Sequence, residues 1–275
     1  MATVIITDSS SDLTIEEARN LGVHMLLMRI SFGHTEYIDK QTIDNEQFYQ
    51  MLQTSSDLPH TAQISPAQFL DTYQMYPQDD IIVLPISSRL SGTYQSAGVA
   101  KQMSGRENIY VVDSMTTIAG LALLVEQACA LRDAGVPAAQ AAQQLQQLAQ
   151  RVRIYADIGT LKYLVKGGRL PKVAGIAGEA LGIKPLISVK NGIINSIGKA
   201  RGIAAASQLV RKKVEEQEQM DLSLPGSFAY TASPENVPAL RALFPEFAGA
   251  PERMIGSVVG THIGPGAAAI AFFAK

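Results

Sequence analysis

Residues 81–97 read IIVLPISSRLSGTYQSA. Ile81–Ile86 is an unbroken apolar run of strand length, Ser87–Thr93 is a hydroxyl-rich loop, and a helical pattern begins near Gly92. A strand apolar on both faces belongs in a sheet covered by helices on both sides. The unit recurs along the first half. Thr3–Thr7 is followed by an amphipathic stretch from Ile15 to Leu21, whose start carries a capping box of Thr14 and Glu17. Ile109–Val112 is again followed by a helical pattern. Met25–Phe32 predicts another strand and Asn45–Leu52 a short helix, while Ser65 before Pro66 marks a helix start. The Ala/Gln/Leu-rich stretch Pro137–Val152 has the spacing of an amphipathic helix. Such alternation predicts an α/β fold whose N-terminal domain is a mostly parallel sheet flanked by helices.

The second half has a different rhythm. Leu186–Val189 and Ile193–Ile197 flank Asn191-Gly192, a hairpin signal because both residues tolerate positive φ. Further strands are expected at Ser227–Thr231, Arg253–Val259 and Ala268–Phe273, with helices at Ala204–Gln217 and Glu235–Leu243. This predicts a C-terminal domain with a mixed sheet and helices. The division falls at residues 1–155 and 156–275.

At 275 residues, with 47% hydrophobic and 17% charged residues, the chain has ample material for two packed cores and is not disordered. Its single cysteine, Cys129, allows no internal disulfide. Asp8, Asp12, Glu16 and Glu17 early in the chain are unlike a signal peptide. Glu126, His262, Pro265 and clustered glycines interrupt the most apolar stretches, so no membrane span is expected and the predicted location is cytoplasmic. The net charge of −2 hides an asymmetry. Residues 151–213 hold thirteen basic side chains against Asp157 and Glu179, leaving the rest of the chain acidic. Such a segment steers an anionic partner.

In an open α/β sheet, ligands bind beyond the carboxyl ends of the strands. Three hydroxyl-rich loops are expected there: Thr7–Asp12, Ser87–Thr93 and Asp113–Thr117. The same residue types also cap helices and close turns. No glycine-rich dinucleotide fingerprint or phosphate loop occurs, so no cofactor is expected. The four histidines, His24, His34, His60 and His262, share no metal-ligand spacing. A serine-dependent hydrolase of a lipid-like substrate would use Ser91, His262 and Asp113, yet Gly-x-Ser-x-Gly is absent. A nucleic-acid-binding protein would use the basic segment, yet no motif for it is visible.

Several motifs together resemble the DegV family, bacterial fatty-acid-binding proteins that serve a fatty acid kinase. They are Thr7–Leu13, Thr61–Ser65 followed by Phe69, Ser87–Ala97, Gly167-Gly168-Arg169, Ile183-Lys184-Pro185 and Gly260–Gly266. The resemblance runs from end to end. It implies a long-chain fatty acid held in the crevice between the two domains, and a carrier that is not itself an enzyme. Its carboxylate would meet Thr61, Ser91 with the backbone around Gly92, and His262, without an arginine clamp. Arg169 and Arg201 would dock a partner, the ATP-dependent fatty acid kinase. Two departures stand in the Thr61–Ser65 element: Ala62 replaces the usual serine, and Ile64 replaces the usual proline, which is expected to loosen that loop.

Overall fold

A computed structural model describes residues 2–55, 57–171 and 182–275. The chain opens with β1 (Thr3–Asp8), α1 (Ile15–Asn20), β2 (Val23–Leu26), β3 (Arg29–Phe32), β4 (Thr35–Ile38) and α2 (Asn45–Thr54). It continues through β5 (His60–Ala62), α3 (Pro66–Gln74), β6 (Asp80–Leu84), α4 (Thr93–Ser104), β7 (Ile109–Val111), α5 (Ile118–Asp133) and α6 (Ala138–Ala149). Next come β8 (Val152–Asp157), α7 (Lys162–Lys166), β9 (Ile183–Lys190), β10 (Ile193–Arg201) and α8 (Ile203–Gln217). The last elements are β11 (Ser227–Tyr230), α9 (Val237–Arg241), β12 (Glu252–Met254), α10 (Ser257–Ile263) and β13 (Ala268–Phe273).

The first sheet has order β2-β1-β6-β7, with every pairing parallel. The second has order β10-β9-β8-β13-β11-β12 and is mixed, since only β11 and β12 pair in parallel. A mixed α/β architecture with one parallel and one mixed sheet is thus what the alternation of elements predicted. Helix α5, buried along most of its length, lies against strands of both sheets and ties them together. β8 runs across residues 155 and 156, and all its pairing is with β9 and β13.

Local signals act as expected where they are strong. Thr14 and Glu17 form a reciprocal capping box, as do Ser65 and Gln68 at the start of α3. Asn191 and Gly192 have φ values of 53° and 75°, the pair of left-handed conformations that matches the twist of β9 and β10.

Other elements depart from the sequence reading. Met25–Phe32 is two strands in two sheets, because β3 leaves the first sheet to form the order β4-β3-β5. Between them Met28 is buried, with its N–H donating to Ser9 Oγ at 3.1 Å. The helix expected to reach Val152 ends at Ala149, and Val152 opens β8. The strand expected over Arg253–Val259 stops at Met254, and α10 begins at Ser257. Val258 and Val259 favour strands, but tertiary ties override that preference. Asp12 accepts the Gly256 N–H at 2.9 Å and Asp39 accepts the Ser257 hydroxyl at 2.5 Å, fixing the start of α10 against the N-terminal half.

Candidate ligand cavity

One face of β8 and β9 supplies a floor. Ile154 and Ala156 alternate with Tyr155 along β8, and their register partners Val189 and Ile187 share their face. Tyr155 turns the other way, to stack with Phe272. Above this floor lies a cavity of about 660 Å³, counted with its open mouth. Its walls include Met28, Ile86, Leu90, Leu164, Val258 and Ile263, so it gathers two N-terminal loops, α7 and α10 around one apolar space.

The polar side chains on that wall are few: Thr61, Ser91, Thr117, Arg169 and His262. Thr61 sits in the middle of β5, paired with Ile30 of β3. His262 lies in the last turn of α10, a correction to the sequence reading, which placed it in a glycine-rich loop. Its Nε2 is 3.0 Å from Thr61 Oγ1, joining residues 201 positions apart. Burial, then the nearby charges of Arg169 and His60, hold the imidazole down at about 4, so it is neutral at neutral pH. Its Nδ1 is buried and has no hydrogen-bond partner among the described residues. Gly167 packs here, since a Cβ on it would stand 2.4 Å from that nitrogen. The Gly-Gly-Arg motif therefore fits around the histidine ring, a reason for glycine that sequence reading alone did not supply.

Ser91 Oγ lies 3.0 Å from Thr93 Oγ1 and accepts the Thr93 N–H at 3.3 Å. Gly92, the N-cap of α4, is not on the cavity wall. A Cβ there would meet Gln63 Oε1 at 1.9 Å, so its smallness admits Gln63, whose amide donates to Ser96 Oγ. Ile64, expected to loosen its loop, has ties of its own. Its side chain is buried in the core and its N–H donates to Thr93 Oγ1 at 3.4 Å, a tie that proline could not make.

The two arginines expected to dock a partner part company. Arg201, at the end of β10, is exposed and has no ion-pair partner among the described residues. Arg169 instead lines the cavity, donating to Leu90 O at 3.2 Å and Gly167 O at 2.6 Å, with burial lowering its pKa. The sequence reading missed this cation beside the histidine because nothing in spacing aims a side chain inward.

Three further expectations change. The loop Thr7–Asp12 does not reach the cavity, because its residues are buried structural ties: Asp8 accepts the Ile86 N–H at 2.8 Å and the Ser10 hydroxyl at 2.5 Å. The hydrolase triad does not assemble. Asp113 accepts from the Ser88 N–H and hydroxyl rather than from His262, and Ser91 faces Thr93. Part of the basic segment is paired with acids folded in from elsewhere: Arg151 with Asp221, Arg153 and Lys190 with Glu218, Arg211 with Glu246. Lys184 pairs with Asp157. Lys172 and Glu179 lie outside the described residues. Among the described residues, no group of three or more potential ligands could hold a metal ion, and no helix is long and apolar enough to cross a membrane.

Comparison with known proteins places the chain in a family. The family model described as "Uncharacterised protein, DegV family" matches residues 2–275. The chain belongs to the DegV family. A DegV domain-containing protein of Clostridium acetobutylicum is 31% identical over 274 residues, covering 98% of each chain. A fatty-acid-binding DegV family protein from Thermus thermophilus has the same fold, with a TM-score of 0.89, 27% identity and full coverage of both chains. A stearic-acid-binding protein from Eubacterium ventriosum superposes with a TM-score of 0.86 at 27% identity, covering 100% of this chain and 99% of the other.

Proposed function

We propose that the cavity holds one long-chain fatty acid, and that this DegV protein carries it to an ATP-dependent kinase rather than acting as an enzyme alone. The observation that carries the reading is a single apolar cavity whose wall brings Thr61, Ser91, His262 and Arg169 together from distant parts of the sequence. Each buried methylene contributes ~0.8 kcal/mol, so about 14 of them contribute on the order of 11 kcal/mol before association costs. The tail supplies affinity, and the head group has only to avoid being buried unpaired. Hydroxyls at Thr61 and Ser91 and a neutral His262 can donate to a carboxylate, with Arg169 nearby to offset its charge. Fatty-acid binding in the two solved relatives supports the same reading.

A carboxylate held mainly by hydroxyls keeps one oxygen free. In the proposed step that oxygen attacks the terminal phosphorus of ATP on the partner, the bond to the ADP oxygen breaks, and the acyl phosphate leaves for phospholipid synthesis. Lys162 and Lys166 on α7, together with Arg201, are exposed and without carboxylate partners among the described residues, which suits an acidic docking surface. Arg201→Glu is expected to cut acyl phosphate formation with the kinase at least tenfold while fatty-acid content stays at one per chain. Normal turnover in that variant would remove Arg201 from the docking surface.

The head-group assignment is tested with Thr61→Ala/Ser91→Ala. Two lost hydrogen bonds at roughly 1 kcal/mol each predict 10- to 100-fold weaker fatty-acid binding, read by displacement of a fluorescent fatty acid. Unchanged affinity and turnover in the double variant would contradict the assignment.

A further inference from the structure

One polar feature of the cavity wall is left unused by the head-group site. Thr117 and Ile118 line the cavity at the start of α5, a helix of 16 residues. Thr117 is the N-cap residue, but its hydroxyl does not cap the helix. The residue is 4% exposed, and its Oγ1 has no hydrogen-bond partner among the described residues. The next three N–H groups, of Ile118, Ala119 and Gly120, donate to no acceptor among the described residues, because the first intrahelical bond runs from Leu121 N to Thr117 O at 3.2 Å. Ile118 and Ala119 are buried as well.

A buried hydroxyl and the first residue of a long helix, its N–H open, therefore stand together on the wall of an apolar space. The positive end of the α5 dipole adds to their preference for an acceptor oxygen. Their place in the cavity separates them from the carboxylate site. Gly120 lies against Val152 and Ile154, in the first half of β8. The Thr61–His262 pair, by contrast, sits beside Gly167, and the loop that follows α10 meets Gly159, two residues past the end of β8.

We infer that the start of α5 is a second polar subsite, which accepts an oxygen carried partway along the acyl chain. The ligand class then includes long-chain acids with an in-chain hydroxyl or ketone. This rests on the fatty-acid reading of the same cavity. An unsubstituted chain leaves the Thr117 hydroxyl and the Ile118 N–H without an acceptor, whereas an oxygen at the matching carbon supplies one.

The test uses the full chain, delipidated, with octadecanoic acid and a positional series of hydroxyoctadecanoic acids. At least one isomer is expected to bind as tightly as octadecanoic acid or more tightly. Thr117→Val should lower the affinity of that isomer relative to octadecanoic acid about tenfold, and Thr117→Ser should restore the ratio. If every isomer binds more weakly than octadecanoic acid, with the same ratio in wild type and Thr117→Val, the inference is overturned and the fatty-acid reading stands. If octadecanoic acid itself does not bind, both fall.

Discussion

Replacing Ala156 with phenylalanine is expected to empty the cavity of fatty acid while leaving the sheet intact. Ala156 is buried on β8, between Ala269 of β13 and Ile187 of β9, and its side chain is part of the cavity floor. A ring placed there occupies space that the acyl chain needs. Losing about four methylenes of buried chain costs ~3 kcal/mol, which is roughly a 100-fold loss of affinity. Forcing a large side chain into a packed core costs about 1–3 kcal/mol of stability in its own right. Thermal unfolding of the delipidated variant separates the two effects. A variant that folds cooperatively but binds fatty acid about 100-fold more weakly supports the cavity as the site. Wild-type affinity in that variant would place the ligand elsewhere.

Gly264→Val is expected to be the most disruptive single change near the head group. Gly264 ends α10 with φ 72° and ψ −177°, a conformation open in practice only to glycine. A Cβ on it would stand 2.3 Å from Tyr163 Cδ2, far inside van der Waals contact. Backbone strain and the clash together predict a loss of about 3–5 kcal/mol, or roughly 10 °C in Tm for a chain of this size. His262 is two residues away, so fatty-acid binding should fall with stability. Gly98 is the internal control. It lies within α4 with nothing near its Cβ position, and Gly98→Ala should be neutral or stabilising by up to ~1 kcal/mol. Scanning calorimetry that found the two substitutions equivalent would refute the argument from backbone geometry.

Legibility in the sequence follows the range of the forces involved. β1, β6 and β7 were readable because short apolar runs followed by helical patterns are local facts. The Asn191-Gly192 turn and the Thr14 and Ser65 caps were readable because each is decided within four residues. The helix carrying His262 was not. Val258 and Val259 favour a strand, and what makes α10 a helix is a pair of aspartates more than 200 residues upstream. The ion pairs of the basic segment were unreadable for the same reason, since the partners Asp221, Glu218 and Glu246 lie beyond residue 213. Thr61, Ser91 and His262 could be named together only through the family resemblance, because spacing along the chain says nothing about a pair 201 residues apart. Arg169 was named with them but given an outward role, and the Gly167 contact with the His262 ring shows how its motif turns inward.

The central claim is that this chain is a fatty-acid carrier, and the most direct measurement is mass spectrometry of small molecules extracted from protein purified without delipidation. The account predicts one long-chain fatty acid per chain, displaced when Ala156 is phenylalanine. An extract empty of fatty acid, together with no thermal shift of the protein on adding one, would contradict it.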